Sequence, residues 1–494
     1  TQNPATATDM YNVAVGHNAG REITTGKQNT IVGGLAADAV TTGTNNVAVG
    51  YLALSTETAG DNSVAIGRSA LGTQNVTTGG NVYNVAVGHS AGGAVTTGVE
   101  NTIVGGLAGD AMTTGVRNVA IGKSALSADT TGRLAVAIGK DALASQNFTT
   151  GAENYNVAVG ALAGKDMSTG IYNTFVGGIA GESNTVGQRN IAVGLQALQQ
   201  NTASDTNVGI GVNALRKHNL TTTGDAHNIA VGDSAGTEIT TGIFNAIVGG
   251  LSGDSLTDAD NNTSLGYAAL TSDTLGSRST AIGRSALAIQ NFTTATDVYN
   301  VAVGYNAGGN ITTGVQNTIV GGLAGDAMTS GLNNIMIGYA AAGAGVVTGN
   351  SNVVIGVAAA GVLTSGSNNV AIGEDAAASL TTGSNNFFLG HDAGRAGSPA
   401  GGISTGSNKG FIGDENITEI NTQVGITAAS DERDKTDFTS LDLGLDFVKA
   451  LEPVTYYWDK RAKYLNKNNE DGTINTDYDL NSATPDGTHK EDWM

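Results

Sequence analysis

The sequence predicts an all-β chain, a repetitive β-solenoid of about 22 short coils followed by a small α+β segment. Three observations predict it. The phrase Asn12-Val13-Ala14-Val15-Gly16 returns along the chain, its closing glycine falling at 16, 33, 50 and 67, then from 88 onward to 390. The composition is that of stacked turns: 73 glycines among 494 residues, with aromatics at 5% and charged residues at 13%, both low for independent globular domains. No proline lies between Pro4 and Pro399, as expected where nearly every backbone N–H enters a ladder.

Most steps between closing glycines are 17 residues, and every fourth step up to Gly304 is 21, so the glycines at 16, 88, 160, 232 and 304 obey a super-period of 72. Within a coil the first element is a strand. In Asn84-Val85-Ala86-Val87-Gly88 the two valines project to one face and Ala86 to the other. The glycine supplies backbone angles that a side chain forbids. A second short segment, as in Ser69-Ala70-Leu71, reads as another strand, and a polar turn such as Thr77-Thr78-Gly79 closes the coil. A helical reading fails, because Gly, Asn and Thr recur too often and no 3.6-residue apolar stripe persists.

Such a coil cannot bury its apolar face alone, and stacking coil on coil at ~4.8 Å makes a rod on the order of 105 Å long. A core this thin predicts a parallel homotrimer, in which neighbouring chains bury the second, alanine-bearing face. The long steps insert Gln74-Asn75-Val76-Thr77, Gln146-Asn147-Phe148-Thr149, His218-Asn219-Leu220-Thr221 and Gln290-Asn291-Phe292-Thr293. Each is expected to present an apolar residue between Asn and Thr. Asn75, Asn147, Asn219 and Asn291 are therefore candidate receptor-loop residues, whose repetition would multiply weak contacts to a glycan. The plainer reading is lateral packing on a neighbouring chain.

Residues 1–413 form the predicted solenoid, 414–429 a connector, and 430–494 a different kind of structure. That last part holds 8 basic and 15 acidic residues and both tryptophans, Trp458 and Trp493. It opens with Ser430-Asp431-Glu432-Arg433-Asp434-Lys435. A short amphipathic helix follows over 441–451, with Ser440 at its N-cap and Pro453 ending it, and 454–458 reads as a strand. From spacing alone the charged run reads as a solvated turn.

The phrase N-x-V-A-I/V-G-x-x-A resembles the left-handed parallel β-roll repeat of trimeric autotransporter adhesin heads. The 17-residue form with Thr-Thr-Gly turns is more like bacteriophage tail fibres. The segment from Ser430 resembles the C-terminal intramolecular chaperone domain of phage tail fibres and tailspikes, which trims itself off after trimerisation. Ser430, Asp431, Arg433, Lys435, Leu445, Phe447, Leu451, Pro453, Val454, Tyr456 and Trp458 match that pattern. Asp434 departs from it, standing where an apolar residue is usual, and Met494 precedes the long helices that the family places further on. The resemblance implies that Ser430 is the nucleophile, Lys435 its base and Ala429–Ser430 the bond cut. It also implies a virion tail fibre whose partners are two further copies of itself, other tail proteins, and a host-surface glycan or outer-membrane receptor. A bacterial adhesin head and a fibre-borne polysaccharide depolymerase are the alternatives.

Other chemistry is disfavoured. A net charge of -20 repels nucleic acid and anionic lipid, no apolar run is long enough for membrane insertion, and cysteine is absent. No cofactor and no metal site is expected: the six histidines show no HxH or HExxH spacing. The acids recurring every 72 residues, Asp38, Asp110, Glu182, Asp254 and Asp326, read as turn-stabilising rather than calcium-binding.

Overall fold

The computed structural model describes residues 9–395 and 401–423, with the backbone of the strands Trp458–Asp459 and Lys490–Glu491. The chain divides into two compact units, Thr1–Thr418 and Glu419–Met494. In the first, 23 three-residue strands form one parallel sheet, from Val13–Val15 to Gly410–Ile412. Each strand pairs in register with the strand one coil further on, so Val85, Ala86 and Val87 stand over Thr102, Ile103 and Val104. The last strand follows the longest step, Gly410 pairing with Phe387, and adds a coil to the 22 expected. In the second unit, Trp458 pairs antiparallel with Glu491.

Each coil carries one strand of the main sheet rather than the two expected. The second segment alternates backbone handedness: Ser69 and Leu71 take φ of 57° and 48° on either side of Ala70. The alternation costs about 1–2 kcal/mol per left-handed residue. It points successive N–H groups along the rod in opposite directions. Ser69 N–H donates back to Tyr51 C=O, and Leu71 N–H donates forward to Ala91 C=O. The segment therefore bonds both neighbouring coils, as a strand does, while turning the chain sharply enough to close a 17-residue circuit.

The core explains the 72-residue period. The middle residue of each strand points inward and meets the residue four places beyond the closing glycine. In the coils of Ala120 and Ala137 those facing residues are Leu126 and Leu143, all fully buried. In the coil of Phe175 the facing residue is Gly181, where a Cβ would lie 2.6 Å from the phenyl ring. The same ring reaches under Gly164 of the coil before, at 2.8 Å. Ile31, Ile103, Phe175, Ile247 and Ile319 stand 72 residues apart in that place. One unit is thus four coils of interdigitating large and small residues.

Ahead of each strand runs a buried asparagine ladder. Asn101 Oδ1 accepts the backbone N–H of Asn118 at 3.0 Å, while Asn101 Nδ2 donates to Gly115 C=O at 2.9 Å. The ladder lacks asparagine at Ser63, Ala135 and Ser279, the rung before each of three long steps. There the inserted glutamine takes over: Asn84 Nδ2 donates to Gln74 Oε1 at 2.9 Å, and Gln74 Nε2 donates to Ser63 Oγ at 3.0 Å and Glu57 Oε2 at 2.9 Å. In the third unit the rung keeps Asn207, and His218 replaces the glutamine.

Candidate functional site

The strand's outward face differs from the expectation. Ala86, Ala120 and Ala158 are fully buried inside a single chain, and the flanking Val and Ile face solvent half-buried. The alanines are inside because the coil is narrow: Leu126 stands opposite Ala120, and opposite Ala86 and Ala158 stand Gly92 and Gly164, whose space side chains of neighbouring coils fill. The face left for a partner is therefore the valine-bearing one. Its second column, from Val15 through Ile66, Ile210 and Ile372 to Ile412, is Val, Ile or Leu without exception, and neither column contains a charge.

Exposed aromatics line both edges of this face. On one edge stand Tyr83 and Tyr299, 53% and 46% exposed, and the stacked pair Tyr155 and Tyr172, ring centroids 5.8 Å apart. On the other, the Arg284 guanidinium lies between the Tyr267 and Tyr305 rings at 6.0 and 5.8 Å.

The insertions lie midway round the coil from the strand, hence on its far side. Phe148 and Phe292 are only 7% and 8% exposed, packing on their own chain rather than presenting themselves outward. The candidate receptor asparagines each accept a hydrogen bond from a threonine of the coil before: Asn75 from Thr58 at 2.9 Å, Asn147 from Thr130 at 3.0 Å, Asn219 from Thr202 at 2.6 Å and Asn291 from Thr274 at 3.1 Å. Asn147 and Asn291 remain exposed.

Beneath three of these loops lies a buried polar plug that the sequence reading missed. Glu57 Oε1 accepts the N–H groups of Thr58, Ala59 and Gly60 at 2.9, 3.1 and 2.7 Å. Asp129 and Asp273 repeat the arrangement, with Gln146 and Gln290 donating at 2.7 and 2.6 Å. Burial raises both aspartates above the ordinary carboxylate range, against those hydrogen bonds. At the equivalent place Asn201 and His218 form no such pair. Neither ring nitrogen of His218 makes a well-formed hydrogen bond; burial lowers its pKa to about 4, against a weaker opposing contact with the Thr240 backbone. The 72-residue recurrence at 57, 129, 201 and 273 was the available signal.

The recurring acids Asp38, Asp110, Glu182, Asp254 and Asp326 are half-buried. Burial raises Asp110, Asp254 and Asp326, and Thr271 Oγ1 donates to Asp254 at 2.5 Å. Asp254 and Glu238 share an open cavity of about 190 Å³ with Ser234, Thr237, Leu251 and Ser255, in which Arg216 and Lys217 already pair Glu238. Near the last coil, His391, Asp392 and Asp414 bring one ligand atom each within 4.8 Å of one another. Arg395 occupies Asp392 at 2.7 Å, and Asn416 donates to both oxygens of Asp414, holding that carboxyl below its usual range.

Ala429, Ser430, Asp431, Arg433 and Lys435 lie outside the described residues, as does the expected helix over 441–451. Of the expected strand over 454–458, Trp458 is in a strand. Among the described residues no helix is long and apolar enough to cross a membrane. No curated protein matches the chain. Residues 430–476 match the family described as chaperone of endosialidase. A parallel β-solenoid of 23 strands ahead of that segment fits a phage tail fibre with a C-terminal chaperone domain.

Proposed function

We propose that the chain is a structural and adhesive tail-fibre protein that carries a phage to its host's surface, assembled as a homotrimer with the help of its C-terminal segment. The observation that carries this reading is the junction itself: an uninterrupted spacer of stacked coils, then a chaperone of endosialidase match whose first residue is Ser430. The insertions, with Asn147 and Asn291 exposed at 72-residue multiples, are the loops proposed to meet a surface glycan or outer-membrane receptor. Fluorescently labelled protein should decorate host cells and compete with phage adsorption. Release of oligosaccharide from host capsule would favour a depolymerase instead.

The segment's chemistry in this proposal is a single self-cleavage. Ser430 Oγ attacks the Ala429 carbonyl carbon while Lys435 takes the hydroxyl proton and delivers it to the departing Ser430 nitrogen. An ester replaces the amide, and water then hydrolyses it, leaving Ala429 with a carboxylate and Ser430 with a free amine. Attack on an adjacent carbonyl needs no diffusion, so positioning supplies much of the rate. Lys435 must be desolvated to be neutral near pH 7; Arg433 favours that and Asp434 opposes it. Expression of the full-length protein beside Ser430→Ala and Lys435→Ala, with products weighed by mass spectrometry, tests the dyad. An uncut wild type, or mutants still cut at Ala429–Ser430, refutes it.

A further inference from the structure

We propose that the cavity between the coils of Ser234 and Leu251 is a saccharide-binding notch that takes one pyranose ring of a neutral glycan. The proposal goes beyond the attachment reading, and its test uses no host cell, so either can fail without the other. The notch has a volume of about 190 Å³ and is lined by Ser234, Thr237, Glu238, Leu251, Asp254 and Ser255, all half-buried. It is smaller than the pocket of a drug-sized ligand, which restricts the occupant to a single small ring.

The groups in the wall select the chemistry of that ring. From the coil beyond, Thr271 Oγ1 donates to Asp254 Oδ1 at 2.5 Å and holds the carboxylate in place. Its second oxygen receives no side-chain hydrogen bond among the described residues. From the coil before, Lys217 and Arg216 hold Glu238, Arg216 at 3.6 Å. Two cations answer two carboxylates, so an ionised ligand finds no net charge to pair with. Ser234 and Ser255 have hydroxyls without a hydrogen-bond partner among the described residues, and Thr237 Oγ1, donating to Asn213 C=O at 3.1 Å, is left as an acceptor. Neighbouring hydroxyls of a sugar both donate and accept, and so match this mixture of fixed acceptors and free hydroxyls. Leu251 offers an apolar wall to the C–H face of the ring. A Cβ on Gly250 would lie 3.6 Å from the Tyr267 ring, which places an exposed aromatic beside that wall.

The repeat separates what the coil needs from what the notch adds. An acid stands at the place of Asp254 in every unit, as Asp38, Asp110, Glu182 and Asp326, and belongs to the coil. The hydroxyls do not. Ala39, Ala111 and Ala327 stand where Ser255 does, and Arg21, Gly93, Lys165 and Gly309 where Thr237 does. Of the five units, the fourth alone joins three hydroxyls around the acid.

Saturation-transfer NMR of the full-length protein tests the notch, with the methyl glycosides of glucose, galactose, mannose and N-acetylglucosamine as probes and glycerol as the control polyol. At least one glycoside should receive transfer where glycerol does not. Ser234→Ala with Ser255→Ala should weaken that binding about tenfold, as the loss of two hydrogen bonds implies, at an unchanged melting temperature. Asp254→Asn should weaken it at least as much, while Asp110→Asn, the same acid in a unit without these hydroxyls, should leave it unchanged. No transfer to any of the four glycosides, or equal transfer to glycerol, would overturn the proposal. So would a serine double variant that binds like the wild type, or an Asp110→Asn that weakens binding as Asp254→Asn does. If Asp254→Asn does not fold, the serine variant decides, because alanine already occupies the place of Ser255 in three other units.

Discussion

Asn173 Oδ1 accepts the backbone N–H of Asn190 at 3.0 Å, and that contact, repeated in most coils, pairs the buried backbone N–H just ahead of the strand. The same side chain donates from Nδ2 to Gly187 C=O at 2.9 Å. Asn173→Ala therefore orphans one buried donor and one buried acceptor and should cost about 2–5 kcal/mol. Asn173→Asp should be worse near neutral pH, since it removes the donor and buries a charge. Denaturant midpoints of the two variants check the order.

Two adjacent glycines should respond in opposite ways. Gly105 has φ 134°, and a Cβ there would lie 2.5 Å from Gly122 C=O. Gly105→Ala forces backbone apart in a column where every coil carries glycine, at a cost upwards of about 3 kcal/mol. Gly106 has nothing within 4 Å of its would-be Cβ. Gly106→Ala should be neutral, or stabilise by up to about 1 kcal/mol through the unfolded chain. Thermal melts of the pair separate the two effects.

His218 should make the third unit acid-sensitive. Its pKa falls from 6.5 to about 4 on burial. Between those values the unfolded chain binds a proton that the folded chain refuses, so stability is intact above 6.5 and drains as pH falls toward 4, by about 3 kcal/mol in full. Asp129 and Asp273 run the other way: their raised pKa means that the penalty for burying the charged form is relieved as pH falls. His218→Gln should flatten the loss of melting temperature between pH 7 and 4.5. An unchanged pH profile would remove His218 as the cause.

The 72-residue unit should be removable whole. Deleting residues 89–160 joins Gly88 to Ala161, preserves the order of large and small core residues, and should shorten the rod by roughly 19 Å with little change in melting temperature. Deleting only 89–105 keeps every column in register yet removes Ile103, leaving Ala86 opposite Gly109. The resulting void should cost about 2–5 kcal/mol. Electron microscopy of rod length and thermal melts of both deletions check this.

The sequence by itself determined the coil, its period and its columns. Glycine at 16, 33 and 50 and asparagine at 12, 29 and 46 are backbone and hydrogen-bonding requirements, and such requirements are local enough to be written in spacing. The period of two in Val85-Ala86-Val87 equally declared two faces, but it could not say which was inside. Only the closed coil decided that: its lumen takes Ala86 and Leu71, while Val85 and Val87 turn outward. The backbone of Ser69-Ala70-Leu71 was likewise illegible, because residues of either strand or turn propensity will accept alternating handedness once hydrogen bonds to both neighbouring coils offset its cost. Gln74, read as part of an outward loop, turned inward for the same kind of reason. Ser63 leaves a rung of the ladder short, and an inserted amide supplied by a distant part of the same coil is what completes it.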